Sequence, residues 1–348
     1  MERDHAGTGE SRASGSRSEP VFTEDDLNLV NALQIAPRAP WARVGAALGV
    51  DAATAARRWR RLTSEGLAWT TAYAPEYSLF AIAQVTCRPD RIRQVSEAVC
   101  ADPSIYSVER TTGHYQLELW IAAGDLLALD EFVSRSLGTL SGVVEVRTSV
   151  GVNVYVDGSD WRAGSLDKFE RAALGDPDQS TIRPRNSGRS SDRRLVAALG
   201  ADARRSVVDL ARDTGMSATS IRRRLTEMTR SGRLILRAEM SRQAAGWPIL
   251  ITYRLRVPAA DLDRMGATTA KWSAVRVCVP MLGGDTNMLM VAWLPTIEGA
   301  LRLETEIVRL FPQTEIRERD LSAVTLKRMG RVLDGFGRAI GFVPVTVA

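Results

Sequence analysis

The stretch from Gly49 to Leu62 returns 166 positions later as Gly215 to Met228, and Gly66 returns at the same offset as Gly232. A spacing held over that distance means an internal duplication, which sets the architecture before any element is assigned. Each copy reads as a turn glycine, an N-cap (Asp51 or Ser217), an arginine-rich helix and a closing glycine in the C′ position. In the first copy Ala52, Ala55, Trp59 and Leu62 share one helical face, and Arg57, Arg58, Arg60 and Arg61 occupy the other side. In the second, Ile221, Leu225 and Met228 form the apolar stripe, with Arg222, Arg223, Arg224 and Arg230 opposite or flanking it. Like charges at i,i+4 cost a few tenths of a kcal/mol each, so a run of arginines without intervening acids points to an anionic partner. The plain alternative is a solvated surface helix. On the DNA reading, the helix N-termini enter the major groove, presenting Ala53, Thr54 and Ala56 in one copy and Thr219, Ser220 and Arg223 in the other. The arginines further along then hold phosphates.

Periodicity and turn signals divide the chain into like halves. Residues 1–20, rich in Gly, Ser and Arg, are expected to be a disordered arm. Residues 21–74 form a first winged helix-turn-helix domain, with helices at Thr23–Ile35, Trp41–Leu48 and Ala52–Glu65 and a wing strand at Leu67–Tyr73. Residues 75–156 form a first mixed domain in the order β-α-β-β-α-β, the ferredoxin-like arrangement. Residues 157–190 read as a linker with a short helix at Leu166–Leu174. A second winged helix-turn-helix domain at 191–245 and a second mixed domain at 246–326 repeat the pattern. Residues 327–348 are a C-terminal extension, in which Arg331–Ile340 is expected to be helical against the second mixed domain. The fold class is α+β, duplicated in tandem. The mixed domains are expected to pack sheet to sheet, burying Tyr115, Leu117, Leu119 and Ile121.

A three-helix reader followed by a strand and β-α-β-β-α-β resembles the Lrp/AsnC (leucine-responsive, feast/famine) family of regulators, here twice over. The resemblance implies a cytoplasmic transcriptional regulator that binds double-stranded DNA and an amino acid or other small effector. It also implies a homo-oligomer, built here from intrachain pseudo-dimers. The family's effector site lies in the loop between the second and third strands. Its counterparts are Thr112, Gly113, His114, Tyr115 and Gln116 in the first half, and Gly283, Gly284, Asp285, Thr286 and Asn287 in the second. Each loop keeps the glycine and neither keeps both acids of the family pattern, so a plain strand-connecting turn stays open beside ligand binding. Sirohaem decarboxylases resemble the same two domain types, which keeps a tetrapyrrole enzyme using His114 as an alternative. A co-regulator with one degenerate reader kept for assembly is another.

Composition narrows the remaining classes. Residues 191–245 carry 12 Arg against 6 acidic residues, whereas residues 75–156 carry 6 Arg against 10. A basic segment beside an acidic one fits a phosphate-binding footprint on the readers. Cys87, Cys100 and Cys278 have no metal or disulfide spacing and fit buried thiols in a reducing compartment. With only His5 and His114, a Ser-His-Asp or Cys-His arrangement would rest on His114 alone. No phosphate-binding loop, metal-ligand spacing, secretory signal or apolar run long enough for a membrane is present. The expectation is no enzyme, no cofactor and no metal. Trp59, Trp120, Trp161, Trp247, Trp272 and Trp293 read as core or interface fillers.

Overall fold

Thr23 and Asp26 bond reciprocally as a capping box that starts α1 (Glu24–Ile35), and α2 (Trp41–Ala47) follows after Pro37 and Pro40. Asp51 accepts the Thr54 amide to start α3 (Ala52–Ser64), and Gly66, at φ +68°, turns the chain into the wing strand β1 (Ala68–Tyr73). The structure, a computed structural model, describes residues 22–74, 79–175 and 190–348. The arm expected at 1–20 and residues 176–189 of the expected linker lie outside the described residues.

The first mixed domain contains β2 (Leu79–Cys87), α4 (Ile92–Ala101), β3 (Ile105–Thr111), β4 (Leu117–Ala123), α5 (Leu126–Phe132) and β5 (Val143–Gly151). A π-helical turn continues α5 to Leu137. After α6 (Lys168–Leu174) come the second reader's α7 (Ser190–Gly200), α8 (Val207–Thr214), α9 (Ala218–Arg230) and β6 (Ile235–Met240). The second mixed domain contains β7 (Ile249–Arg256), α10 (Leu262–Thr269), β8 (Val275–Leu282), β9 (Met288–Leu294), α11 (Glu298–Leu310) and β10 (Glu315–Arg328). The strands β11 (Arg331–Leu333) and β12 (Ala339–Phe342) close the chain.

The two halves are welded at three places. First, β1 and β6 pair antiparallel, with Thr71 opposite Arg237. Those two residues are sequence equivalents, so a local two-fold axis passes between them. Second, Arg38 and Arg204, also equivalents, clamp each other's domain. Arg38 donates to the carbonyls of Ala203 and Arg205, and Arg204 to those of Pro37 (2.7 Å) and Ala39 (2.9 Å). Third, the four-stranded sheets exchange edges. The first part of β10 pairs with β7 and the second part with β3, while the end of β5 pairs with β8. Strands β3-β4-β2-β5-β8-β9-β7-β10 thereby form a ring that closes on itself. Closure shortens the free edges that would otherwise template pairing with another chain, although β5 and β8 join through two residue pairs only.

Period-two alternation decides which face of each strand meets what. Ala81, Ala83 and Val85 of β2 and Leu117, Leu119 and Ile121 of β4 pack with Val95, Val99 and Leu129 of the domain's own helices. Ile82 and the half-buried Trp120 face the other way, in a cluster with Leu250, Leu289, Val291 and Trp293. The expectation that Leu117, Leu119 and Ile121 form the sheet-to-sheet contact is therefore reversed. Both faces carry large buried apolar side chains, so apolar alternation by itself does not tell helix-facing from sheet-facing.

Two further expectations change. Residues 157–175 are docked on the first reader. Leu166 and Leu174 are buried against it, Asn31 accepts the amides of Ser165 and Leu166, and Gln34 accepts that of Ala163, while Trp161 packs edge-on to Trp247 and Trp293 of the second half. Arg331–Ile340 is not a helix: β11 and β12 form a hairpin extending the sheet from β10. It ties to both readers, through Ala339 N–H to Gly66 C=O (2.8 Å) and Arg331 to Ala201 C=O. The final Ala348 bonds to Ala122 of the first mixed domain. Pairing with the open flank of β10 satisfies backbone groups that a helix there would leave unpaired.

Candidate nucleic-acid interface and effector cleft

On α3 the buried side chains are Ala55, Trp59 and Leu62, and on α9 Ile221, Leu225 and Met228, as their spacing requires. The opposite faces are exposed, but their arginines are not all free. Arg61 reaches the buried Asp26 of α1 at 2.5 Å and Glu65 at 3.2 Å, and Arg58 pairs with Asp25 at 2.8 Å. Arg224 likewise reaches the buried Asp192 of α7 at 2.5 Å. These ion pairs brace each recognition helix against the first helix of its domain. Arg57 and Arg60 on α3, and Arg222, Arg223 and Arg230 on α9, remain exposed.

The helix tips differ. The Thr54 hydroxyl donates to Asp51 (2.7 Å) and accepts from Arg57 (3.3 Å), leaving the exposed Ala53 methyl as the open group. Hydrogen bonds from Thr54 hold the Asp51 carboxyl below its usual range, so it stays ionised at the tip of α3. On α9 the cap is the neutral Ser217, in contact with Ser220 (3.0 Å), and Thr219 is exposed.

The loop carrying Thr112, Gly113, His114 and Tyr115 lies against β10 of the other half. Thr112 N–H bonds to Leu321 C=O, and a Cβ on Gly113 would come within 2.0 Å of Asp320 Oδ1, so any larger residue there would displace the Asp320 carboxylate. Buried Tyr115 donates to Asp320 (2.7 Å) and contacts Glu118 (3.1 Å). Buried Arg254 donates to Glu118 (2.7 Å) and pairs with Glu318 (3.1 Å), which also accepts from Gln84 (2.9 Å). Burial pushes Glu118, Asp320 and Tyr115 up from their ordinary pKa values. Above this network opens a cleft of about 320 Å³ lined by Gln84, Thr86, His114, Tyr115, Glu145, Arg147 and Glu318.

The corresponding loop of the second half is separate from this cleft and lies against β5. Gly283 and Gly284 adopt φ of +101° and +111°, and Gly283 packs on the Thr148 carbonyl. Asp285 is exposed. Asn287 is a structural amide: its oxygen accepts Val257 N–H and its nitrogen donates to Val257 C=O, both at 2.8 Å. Among the described residues no cluster of metal-ligating side chains occurs, and no helix is long and apolar enough to cross a membrane. Burial raises Cys87 and Cys100 to about 11 and Cys278 to about 12, far from thiolate chemistry.

The model of the AsnC-type helix-turn-helix domain matches residues 22–63 and again 190–229, and that of the Lrp/AsnC ligand binding domain matches residues 80–161. Both are Lrp/AsnC-type models, and between them they cover the two readers and the first mixed domain. HTH-type transcriptional regulators of Pyrococcus horikoshii and Pyrococcus furiosus are each 23% identical to it. The matches span 38% of this chain and 86% and 94% of theirs. With two helix-turn-helix domains, the chain is a DNA-binding transcriptional regulator of the Lrp/AsnC type. Its second mixed domain repeats the order of the first. Over the whole length, the siroheme decarboxylase NirDL shares the fold, with a TM-score of 0.57 and 14% identity over 92% of this chain and 95% of that one.

Sequence reading missed Gln84, Glu118, Arg254, Glu318 and Asp320. Each is a polar residue on an inward strand face, and only the closure of the ring brings both halves' residues together. A charged residue interrupting an otherwise apolar strand, as in Leu117-Glu118-Leu119, was the available signal.

Proposed function

We propose that one chain acts as a complete pseudo-dimeric reader, docking α3 and α9 on duplex DNA while a small molecule in the first-half cleft tunes that contact. The observation that carries this reading is the pair of readers fixed about a local two-fold, each holding out exposed arginines. Ala53 and Thr54 on α3, and Thr219, Ser220 and Arg223 on α9, face the bases. Arg57, Arg60, Arg222 and Arg230 meet phosphates, and Arg58, Arg61 and Arg224 keep the helices seated. In the cleft, Thr112, Gly113, His114 and Tyr115 supply one wall. Glu145 and Glu318 suit an amino group, and Arg147 suits a carboxylate. The volume lies at the lower end of small-ligand pockets, about 300–1,000 Å³, which fits a single amino acid. Gly283, Gly284 and Asp285 form a turn rather than a second such site. A DNA partner implies the cytoplasm, and whole chains are the units of any larger homo-oligomer.

The same cleft argues for a regulator without catalysis. A tetrapyrrole ringed by carboxylates would meet Glu145 and Glu318, both acidic, with Arg147 alone among the lining residues as a guanidinium to pair with its carboxylates, and shared fold does not carry shared chemistry. Incubation with sirohaem should leave the pigment's absorbance spectrum unchanged; a shifted, co-purifying band would reverse this reading. For DNA, footprinting full-length Arg57→Ala/Arg60→Ala and Arg222→Ala/Arg223→Ala variants tests each reader. Each pair should weaken protection over its own half of the site. Full protection with both pairs combined would remove the helices from the interface.

A further inference from the structure

The two-fold that relates the readers is a symmetry of backbone and not of chemistry. The positions facing outward from α3 and α9 pair off by the same offset that relates Thr71 to Arg237: Asp51 with Ser217, Ala53 with Thr219, Thr54 with Ser220 and Arg57 with Arg223. On α3 an ionised Asp51 sits at the tip and the Thr54 hydroxyl is already committed to Asp51 and Arg57. The open contact is a methyl group, which suits a thymine methyl and little else. On α9 the tip is neutral, the Thr219 hydroxyl is exposed, and Arg223 stands exposed beside exposed Arg222. An arginine there can bond bidentately to guanine. An ordinary homodimer presents identical helices and so favours a palindrome. This chain presents two unlike helices in a fixed mutual geometry, because the Arg38 and Arg204 clamps and the β1–β6 ladder hold the readers together.

We infer that the site read by one chain is non-palindromic and directional. One half, under α9, is specified by hydrogen bonds that include guanine. The other, under α3, is loosely specified and thymine-tolerant. This inference rests on the proposal that both helices lie in DNA, and the test separates the two.

Full-length protein is used to select duplexes from a random pool, and the enriched sequence is scored for two-fold symmetry. Binding is then measured to that duplex and to two symmetrised versions, each made by mirroring one half. The enriched sequence should lack dyad symmetry. The duplex built from two α3-type halves should bind roughly tenfold or more weakly, the loss expected when a bidentate base contact goes unmade. Arg223→Ala, an exposed change, should collapse that difference, whereas Arg57→Ala should lower affinity for all three duplexes alike. A palindromic consensus whose symmetrised versions bind equally would overturn the inference while leaving DNA binding intact. Failure to retain any duplex in dilute buffer would overturn the DNA reading and the inference with it.

Discussion

The two halves of this molecule keep the residues that shape the backbone and change those that face a partner. Gly66 and Gly232 close the recognition helices at φ +68° and +71°. Asp26 and Asp192, both buried, anchor recognition-helix arginines. Gln116 accepts the Cys87 amide at the end of β2 as Asn287 accepts the Val257 amide at the end of β7. At matching strand positions, however, Glu118 faces Leu289, and Asp320 matches Val150. Duplication within one chain removes the demand that both copies satisfy identical contacts, so one of the two seams between the halves can hold a charged cleft while the other carries aliphatic side chains at the matching positions.

The largest effect should follow from making the halves alike at that point. Glu118→Leu copies the second half but leaves buried Arg254 with only the half-buried Glu318. Breaking a buried pair on one side costs about 3 kcal/mol, to be read as a lower midpoint in urea. Glu118→Leu with Arg254→Leu should recover most of that loss, because no uncompensated charge remains. A double variant no more stable than the single one would show that Arg254 is not what makes Glu118 matter.

Next come the readers. Removing a phosphate contact lowers the slope of log affinity against log salt by about 0.9. Arg57→Ala should show that loss, and Arg61→Ala, whose guanidinium is held by Asp26 and Glu65, should show far less. Equal slopes for the two variants would mean that the ion pairs open on DNA and that the bracing role is wrong.

Most elements were legible in the sequence because local rules and tertiary packing agree in them. The N-caps Thr23, Asp51 and Ser217 and the glycines at 66 and 232 mark helix ends that the structure reproduces within a few residues. What was not legible depends on closure. The cleft assembles Gln84, Glu118, Arg254 and Glu318 from strands 34 to 234 positions apart, and no local pattern carries that information. The C-terminal hairpin was misread for a related reason: Arg331–Ile340 has no strong period of its own, and its strands form because β10 offers an unpaired flank. The outward arginines of α3 and α9 were half legible. Periodicity placed them on one side, but it could not show that Asp25, Asp26 and Asp192 would claim three of them.

A smaller effect separates the helix tips. Asp51 puts a full negative charge at the N-terminus of α3, stabilising the helix through its cap and dipole but opposing nearby phosphates. Ser217 caps α9 without that charge. Asp51→Ser should therefore tighten DNA binding a few-fold in dilute buffer, and Ser217→Asp should weaken it by a similar factor. Both shifts should shrink with added salt, since exposed charges are screened over about 10 Å at 0.1 M. Changes that persist undiminished at high salt would assign the effect to groove shape rather than to charge.

The smallest effect concerns pH, and again only one half should show it. Burial raises Asp320, and with it Glu118, above the ordinary carboxylate range. A carboxyl whose pKa is higher folded than unfolded takes up protons on folding between those two values, so its contribution to stability falls as pH rises through that window. Unfolding in urea from about pH 4 to 7 should show this decline superimposed on the rest of the titration. Asp320→Asn removes one of the two groups, keeps an acceptor for the Tyr115 hydroxyl, and should flatten the profile. The matching position in the first half is Val150, which cannot titrate, so no counterpart exists there. A profile unchanged by Asp320→Asn would mean that Asp320 stays ionised in the fold, with its charge met by Arg254 and by water entering the cleft.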